Sequence, residues 1–142
     1  MDADATLVQV NALVDAGCDL VRVTVPSREA LGPFERICHE SPVPIVADIH
    51  FDYRLAIGAV RAGAAKLRIN PGNIGDWERV DAVIDAAGEA GAAIRIGVNA
   101  GLARQAYRRA GRPNAAGEAR RLVARVCRAF REARIRRHRA FR

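Results

Sequence analysis

The chain has 142 residues, with 23 Lys and Arg against 16 Asp and Glu and half of its residues apolar. That is the composition of a soluble globular protein, and the length fits one domain better than two. No apolar run nears the ~18 residues that cross a bilayer, and the acidic start Met1-Asp2-Ala3-Asp4 is unlike a secretory leader, so a cytoplasmic protein is expected. Cys18, Cys38 and Cys127 are widely spaced and form no CxxC pair, which excludes a disulfide framework and a zinc ribbon.

The net charge of +7 hides two opposite halves. Residues 1–100 hold nine Lys and Arg against 14 Asp and Glu, a net of −5, whereas residues 101–142 hold 14 Arg and two Glu, a net of +12. The basic character therefore belongs to the C-terminal segment. An Arg block of this kind is a solvated or nucleic-acid-facing stretch. Tyr107, Phe130 and Phe141 are too few and too scattered to interleave it as a base-stacking platform, so nucleic-acid binding is not favoured.

In chain order, the first element is a helix over Ala5–Ala16, with Leu7, Val10, Leu13 and Val14 as its apolar face. Gly17 follows as a left-handed C-terminal cap, then a strand over Leu20–Pro26. Ser27 is a cap candidate for a helix running to His39, and Ser41-Pro42 stops it. A second strand covers Pro44–His50. The helix Phe51–Ala62 carries Leu55, Ile57, Ala59 and Val60, is closed by Gly63, and leads to a strand over Lys66–Gly72. Pro71-Gly72-Asn73-Ile74-Gly75 is expected as a turn whose amides can face an anion. Asp76 caps a helix over Trp77–Ala90 bearing Val80, Val83 and Ile84; Gly91 ends it, and a strand over Ala93–Asn99 follows.

Helix and strand thus alternate four times in units of about two dozen residues. Alternation of this kind means a parallel sheet with helical crossovers. A parallel strand covered on both sides is apolar throughout, and these strands are not. Val21, Val23 and Val25 share one face of their strand, and Arg22, Thr24 and Pro26 the other. Ile45, Ala47 and Ile49 oppose Val46, Asp48 and His50; Leu67 and Ile69 oppose Arg68 and Asn70; Ile94, Ile96 and Val98 oppose Arg95, Gly97 and Asn99. One apolar face packs under helices, and the other presents charge to a barrel lumen. A (β/α)8-type barrel is therefore expected, with the polar groups near the strand C-termini where such barrels place their sites. No GxGxxG follows the first strand to support a dinucleotide fold.

Arg22, Arg68 and Arg95 are expected at equivalent points of three strands. Like charges gathered inside a barrel repel unless an anion joins them, and guanidinium forks match phosphate oxygens. The residues therefore point to a phosphate or diphosphate site. Asn70, Asn73 and Asn99 supply neutral donors and acceptors. His50 can donate to phosphate or move a proton, and Asp48 orients His50 or an arginine. His39 is expected on the surface, and the cysteines are expected to fill small apolar gaps.

Four segments carry a family resemblance. Val43-Pro44-Ile45-Val46-Ala47-Asp48-Ile49-His50-Phe51-Asp52-Tyr53-Arg54 and Leu67-Arg68-Ile69-Asn70-Pro71-Gly72-Asn73-Ile74-Gly75 are two of them. Ala16-Gly17-Cys18-Asp19-Leu20-Val21-Arg22-Val23 and Ile94-Arg95-Ile96-Gly97-Val98-Asn99-Ala100-Gly101 are the others. In this order and spacing they resemble the barrel domain of 4-hydroxy-3-methylbut-2-enyl diphosphate synthase. The likeness covers about residues 4–101 well and continues weakly through Tyr107 and Gly111 to Ala119.

The resemblance implies an oxidoreductase of isoprenoid biosynthesis by the methylerythritol phosphate route. It implies reductive ring opening of 2-C-methyl-erythritol 2,4-cyclodiphosphate by a [4Fe-4S] cluster, with flavodoxin or ferredoxin as electron donor, in a homodimer. By the same resemblance Arg22, Arg68 and Arg95 clamp the diphosphate. Asn70, Asn73 and Asn99 support them, and Asp48 and His50 stand at the sugar and phosphate edge. The chain departs from the family's pattern as well. The family's first and last strands and its cluster-binding domain have no counterpart here, so no catalytic residue or cluster ligand is assigned and no turnover by this chain alone is expected. From Val126 the Arg-rich text no longer resembles the family. Residues 1–101 are thus expected as a partial barrel, and residues 102–142 as a segment that is partly helical, frame-shifted or disordered. Two other functions compete: another phosphate-binding barrel resembling dihydropteroate synthase, and a basic nucleic-acid module.

Overall fold

The computed structural model describes residues 1–74, 76–97, 124, 127 and 128. Nine elements follow one another: α1 (Ala3–Asp15), β1 (Val21–Thr24), α2 (Leu31–Glu40), β2 (Ile45–Asp48), α3 (Tyr53–Arg61), β3 (Lys66–Ile69), α4 (Pro71–Ile74), α5 (Trp77–Ala90) and β4 (Ala93–Ile96). The strands form one parallel sheet in the order β1-β2-β3-β4, so each strand pairs with the next in sequence. This is a partial (β/α) barrel. The Arg-rich segment lies outside the described residues except for Ala124, Cys127 and Arg128, which are helical and exposed.

Glycine closes three of the helices, as their positions require. Gly17, Gly63 and Gly91 have φ of +93°, +96° and +71°, which a residue without Cβ adopts freely. At the first of these, Gly17 donates to the Val14 carbonyl at 2.8 Å and Cys18 to Leu13 at 3.0 Å, consuming carbonyls that the helix end leaves over. At the other ends, Asp2 Oδ1 accepts from the Ala5 amide and Asp52 Oδ1 from the Arg54 amide. Asp76 holds the expected cap position of α5 without a side-chain cap bond, its carbonyl accepting from Arg79 and Val80 instead.

Three expectations are corrected. The second helix starts at Leu31 after Ala30, not at Ser27. Pro33 dictates this. A start at Ser27 would place Pro33 inside the helix, where its ring clashes and its missing N–H breaks the ladder, whereas a start at Leu31 puts it in the first turn, where no intrahelical bond is due. Leu13 is 43% exposed; it lies about 100° around α1 from Val14 and so falls outside the stripe that Leu7 and Val10 bury. The run from Pro71 to Ile74 is the short helix α4 rather than an open turn, with Asn73 and Ile74 donating to the Asn70 carbonyl.

The apolar strand faces do what the alternation predicts. Val21, Val23, Val25, Ile45, Ala47, Ile49, Leu67 and Ile69 are buried in one core with Phe34 and Ile37 of α2, Leu55 and Val60 of α3, and Val80, Val83 and Ile84 of α5. Cys18 and Cys38 pack against its margin. Outside it, Arg36 ties α2 to α1 through Asp4 and to its own helix through Glu40. His39 is exposed near the end of α2. No helix among the described residues is long and apolar enough to cross a membrane.

Candidate functional site

With one sheet face committed to the helices, the opposite face collects the polar strand residues, and ladder register fixes their mutual positions. Thr24 pairs with Asp48, Asp48 with Arg68, and Arg68 with Arg95, making one row across the sheet. The row beneath runs Arg22, Val46, Lys66, Ala93. Arg68 and Arg95 are therefore neighbours, whereas Arg22 stands one pair lower. The three arginines share a face but not a level, which corrects their expected equivalence. A shift of two residues preserves facing, so alternation within single strands could not reveal it.

Asp48 is the hub of this face. It is 5% exposed, and its carboxylate takes both neighbours. Arg68 Nη1 donates to Oδ1 at 3.1 Å, and Arg22 Nε lies 3.6 Å from Oδ2. The acid thus orients arginines, and its described partners do not include His50. On the described strands this face carries Arg22, Lys66, Arg68 and Arg95 against the single carboxylate of Asp48. Among the described residues no acid pairs with Arg95, which is exposed. Like charges directly opposite on a sheet destabilise it, so the Arg68–Arg95 pair is costly in the chain by itself and favourable to an anion.

Of the remaining sequence candidates, His50, Asn70 and Asn73 lie past the ends of β2 and β3. Asn70 is buried just beyond β3, and its carbonyl accepts from the Asn73 amide at 2.9 Å, which seats the half-buried Asn73 beside the strand end. His50 is exposed past the end of β2, its ring centroid 6.1 Å from that of Phe51. Asn99 lies outside the described residues. Lys66 was not singled out from the sequence, although alternation already places it on the face of Arg68. At the first turn of α3, the Tyr53 ring carries the guanidiniums of Arg54 and Arg79 at 5.5 and 5.6 Å; the Tyr53 hydroxyl raises the pKa of Arg54, with the nearby Asp52 carboxylate adding to it.

The residues present do not fit an iron–sulfur cluster. Among the described residues no group of three or more His, Cys, Asp or Glu is placed to hold a metal ion. The three cysteines are free, and burial, with Glu35 adding to it, pushes the Cys38 thiol up to about 11. A thiol held protonated in this way opposes the thiolate that a cluster requires.

Comparison with known proteins agrees with this fold. The family model of the GcpE TIM-barrel domain matches residues 1–141. The 4-hydroxy-3-methylbut-2-en-1-yl diphosphate synthase (flavodoxin) of Idiomarina loihiensis is 53% identical over 115 residues, 80% of this chain and 31% of that protein. The proteins of the same name from Jannaschia sp. and Maridesulfovibrio salexigens are 59% and 57% identical over 100 residues, 70% of this chain in both cases and 26% and 28% of those proteins. The chain thus spans between about a quarter and a third of the length of these curated relatives. With its parallel strands, its polar lumen face and a match over almost its whole length, the chain belongs to the GcpE TIM-barrel domain family.

Proposed function

We propose that this chain is the substrate-holding part of a 4-hydroxy-3-methylbut-2-enyl diphosphate synthase of isoprenoid biosynthesis, binding 2-C-methyl-erythritol 2,4-cyclodiphosphate on the polar face of its sheet. The observation that carries the proposal is the row Asp48–Arg68–Arg95 with Arg22 joined to the same carboxylate. It is an excess of guanidinium gathered on one face and only partly neutralised. Arg68, with Nη1 taken by Asp48, offers its Nε and Nη2 to phosphate oxygens as a paired, charge-assisted fork. Arg95 stands beside it, and Arg22 and Lys66 add positive potential from the row below. Asn70, Asn73 and Asn99 support the ligand, and His50 and Asp48 serve its edge.

The name of these relatives includes flavodoxin, and a flavodoxin or ferredoxin is the electron donor in this proposal. A [4Fe-4S] cluster supplies the two-electron reduction in the complete enzyme. The described cysteines do not fit it, so no catalytic step is assigned to this chain, whose part is binding and orientation. The free cysteines agree with a reducing cytoplasm, and the homodimer belongs to the same proposal.

Calorimetric titration of the cyclic diphosphate into the chain and its Arg68→Ala variant tests the proposal. Loss of one charged fork should weaken binding by ~10- to 100-fold. Equal affinity of the two chains would refute it.

A further inference from the structure

We propose that Gly97, just past the end of β4, is a positioning residue for Arg68, its lack of a side chain leaving room at the Nε/Nη2 edge of that guanidinium while Asp48 holds the opposite corner. The inference rests on the diphosphate proposal and deepens it by naming which edge of Arg68 meets the ligand and what keeps that edge open. A Cβ built on Gly97 would stand 2.8 Å from Arg68 Nε, 2.9 Å from Nη2 and 3.1 Å from Cζ. Non-bonded heavy atoms with no hydrogen bond between them settle at ~3.5–4.0 Å, so the guanidinium and a Cβ cannot both occupy these places.

The glycine is not there for its backbone. Among the described glycines only Gly17, Gly63 and Gly91 have positive φ, so Gly97 adopts a conformation open to any residue. Its amide donates to the Ile69 carbonyl at 2.7 Å, which continues the β3–β4 ladder and fixes its position. What glycine provides at 97 is therefore space, and that space lies against one edge of one side chain. The guanidinium ends a flexible side chain and can shift, but not without disturbing its hold on Asp48. Its Nη1 is bonded to Asp48 Oδ1 at 3.1 Å, and rotation away from β4 would break that contact. An alanine at 97 must either part Arg68 from Asp48 or lift the fork toward the ligand, and a misplacement of about 1 Å costs as much as 100-fold where geometry is set.

Coupling between the two positions decides the matter. The cyclic diphosphate is titrated into the full chain and into Gly97→Ala, Arg68→Ala, Arg95→Ala and the two doubles carrying Gly97→Ala. Gly97→Ala should weaken binding by ~10-fold or more. It should cost nothing further once Arg68 is alanine and keep its full cost when Arg95 is alanine. An undiminished cost in the Arg68→Ala background, or no cost in the wild-type background, overturns the proposal. Should Gly97→Ala alone fail to fold, the pair Arg68→Lys and Gly97→Ala/Arg68→Lys replaces it: lysine has no Nε/Nη2 branch, so equal affinities sustain the proposal and unequal ones refute it. The ligand-free chain gives a separate readout, the NMR resonance of Arg68 Nε–H, assigned by its disappearance in Arg68→Ala. Gly97→Ala should move it and leave that of Arg36, held by Asp4 and Glu40, in place. If the wild-type chain binds no cyclic diphosphate, the binding proposal falls, while an Nε–H resonance that moves still upholds the positioning role and one that does not move refutes it.

Discussion

Replacing Asp48 with Asn separates charge from organisation at the centre of the polar face. The new side chain keeps the shape and one acceptor oxygen but loses the negative charge shared by two guanidiniums. The Arg22 contact is long, 3.6 Å, and that side chain is 54% exposed, so it contributes only ~0–1 kcal/mol. The Arg68 contact is shorter and mostly enclosed, with side chains 24% and 7% exposed at 3.1 Å, and a hydrogen bond to a charged group there is worth ~1.5–3 kcal/mol. Asp48→Asn should therefore lower stability by about 2 kcal/mol, a urea-midpoint shift of roughly 1 M. Binding makes the sharper test. The variant is more positive than the wild type, so unspecific attraction alone would bind the cyclic diphosphate more tightly. If the carboxylate acts by holding Arg68 and Arg22 in place, affinity should instead fall by ~10-fold. Urea titration and calorimetry on the same preparation read both quantities. Tighter binding, with stability unchanged within ~0.5 kcal/mol, would refute the organising role of Asp48.

Two further outcomes follow from the same coordinates. Arg95→Gln removes the like charge opposite Arg68; the ligand-free variant should be more stable by a few tenths to ~1 kcal/mol yet gain less in melting temperature when the cyclic diphosphate is added, and a ligand-free variant that melts lower than wild type would contradict this. The Cys38 thiol keeps its proton up to about pH 11 in the folded chain because it is half-buried, whereas the unfolded chain loses it near ~8.5. The unfolded state then binds fewer protons, so stability should fall as pH rises through this window, more steeply in the wild type than in Cys38→Ala; parallel curves would contradict it.

Much of the architecture is legible in the residues because it is dictated locally. Ala-Gly pairs at Ala16-Gly17, Ala62-Gly63 and Ala90-Gly91 mark helix ends by backbone need alone. Period-two alternation separates Val21 and Val23 from Arg22 without knowledge of any neighbour. The start of α2 was legible too, in Pro33 rather than in Ser27. What could not be read are relations between strands. The step that sets Arg22 one level below Arg68 is a matter of register, and a shift of two leaves every alternation unchanged. The choice of Asp48 between His50 and the arginines depends on side-chain reach across β2 and β3, and the approach of Arg68 to Gly97 on reach across β3 and β4. Alternation puts Lys66 on the face of Arg68, but only the ladder register sets it in the row of Arg22.

The strand order has a kinetic consequence. Asp48 finds Arg68 and Arg68 finds Arg95, so every rung links segments only some two dozen residues apart. Each rung must close a loop of that length before it is rewarded, which makes parallel pairing slower than a hairpin but lets it proceed one step at a time. A nascent chain emerging from the ribosome N-terminus first can therefore add one helix-strand step at a time, each new strand docking on an edge already waiting for it.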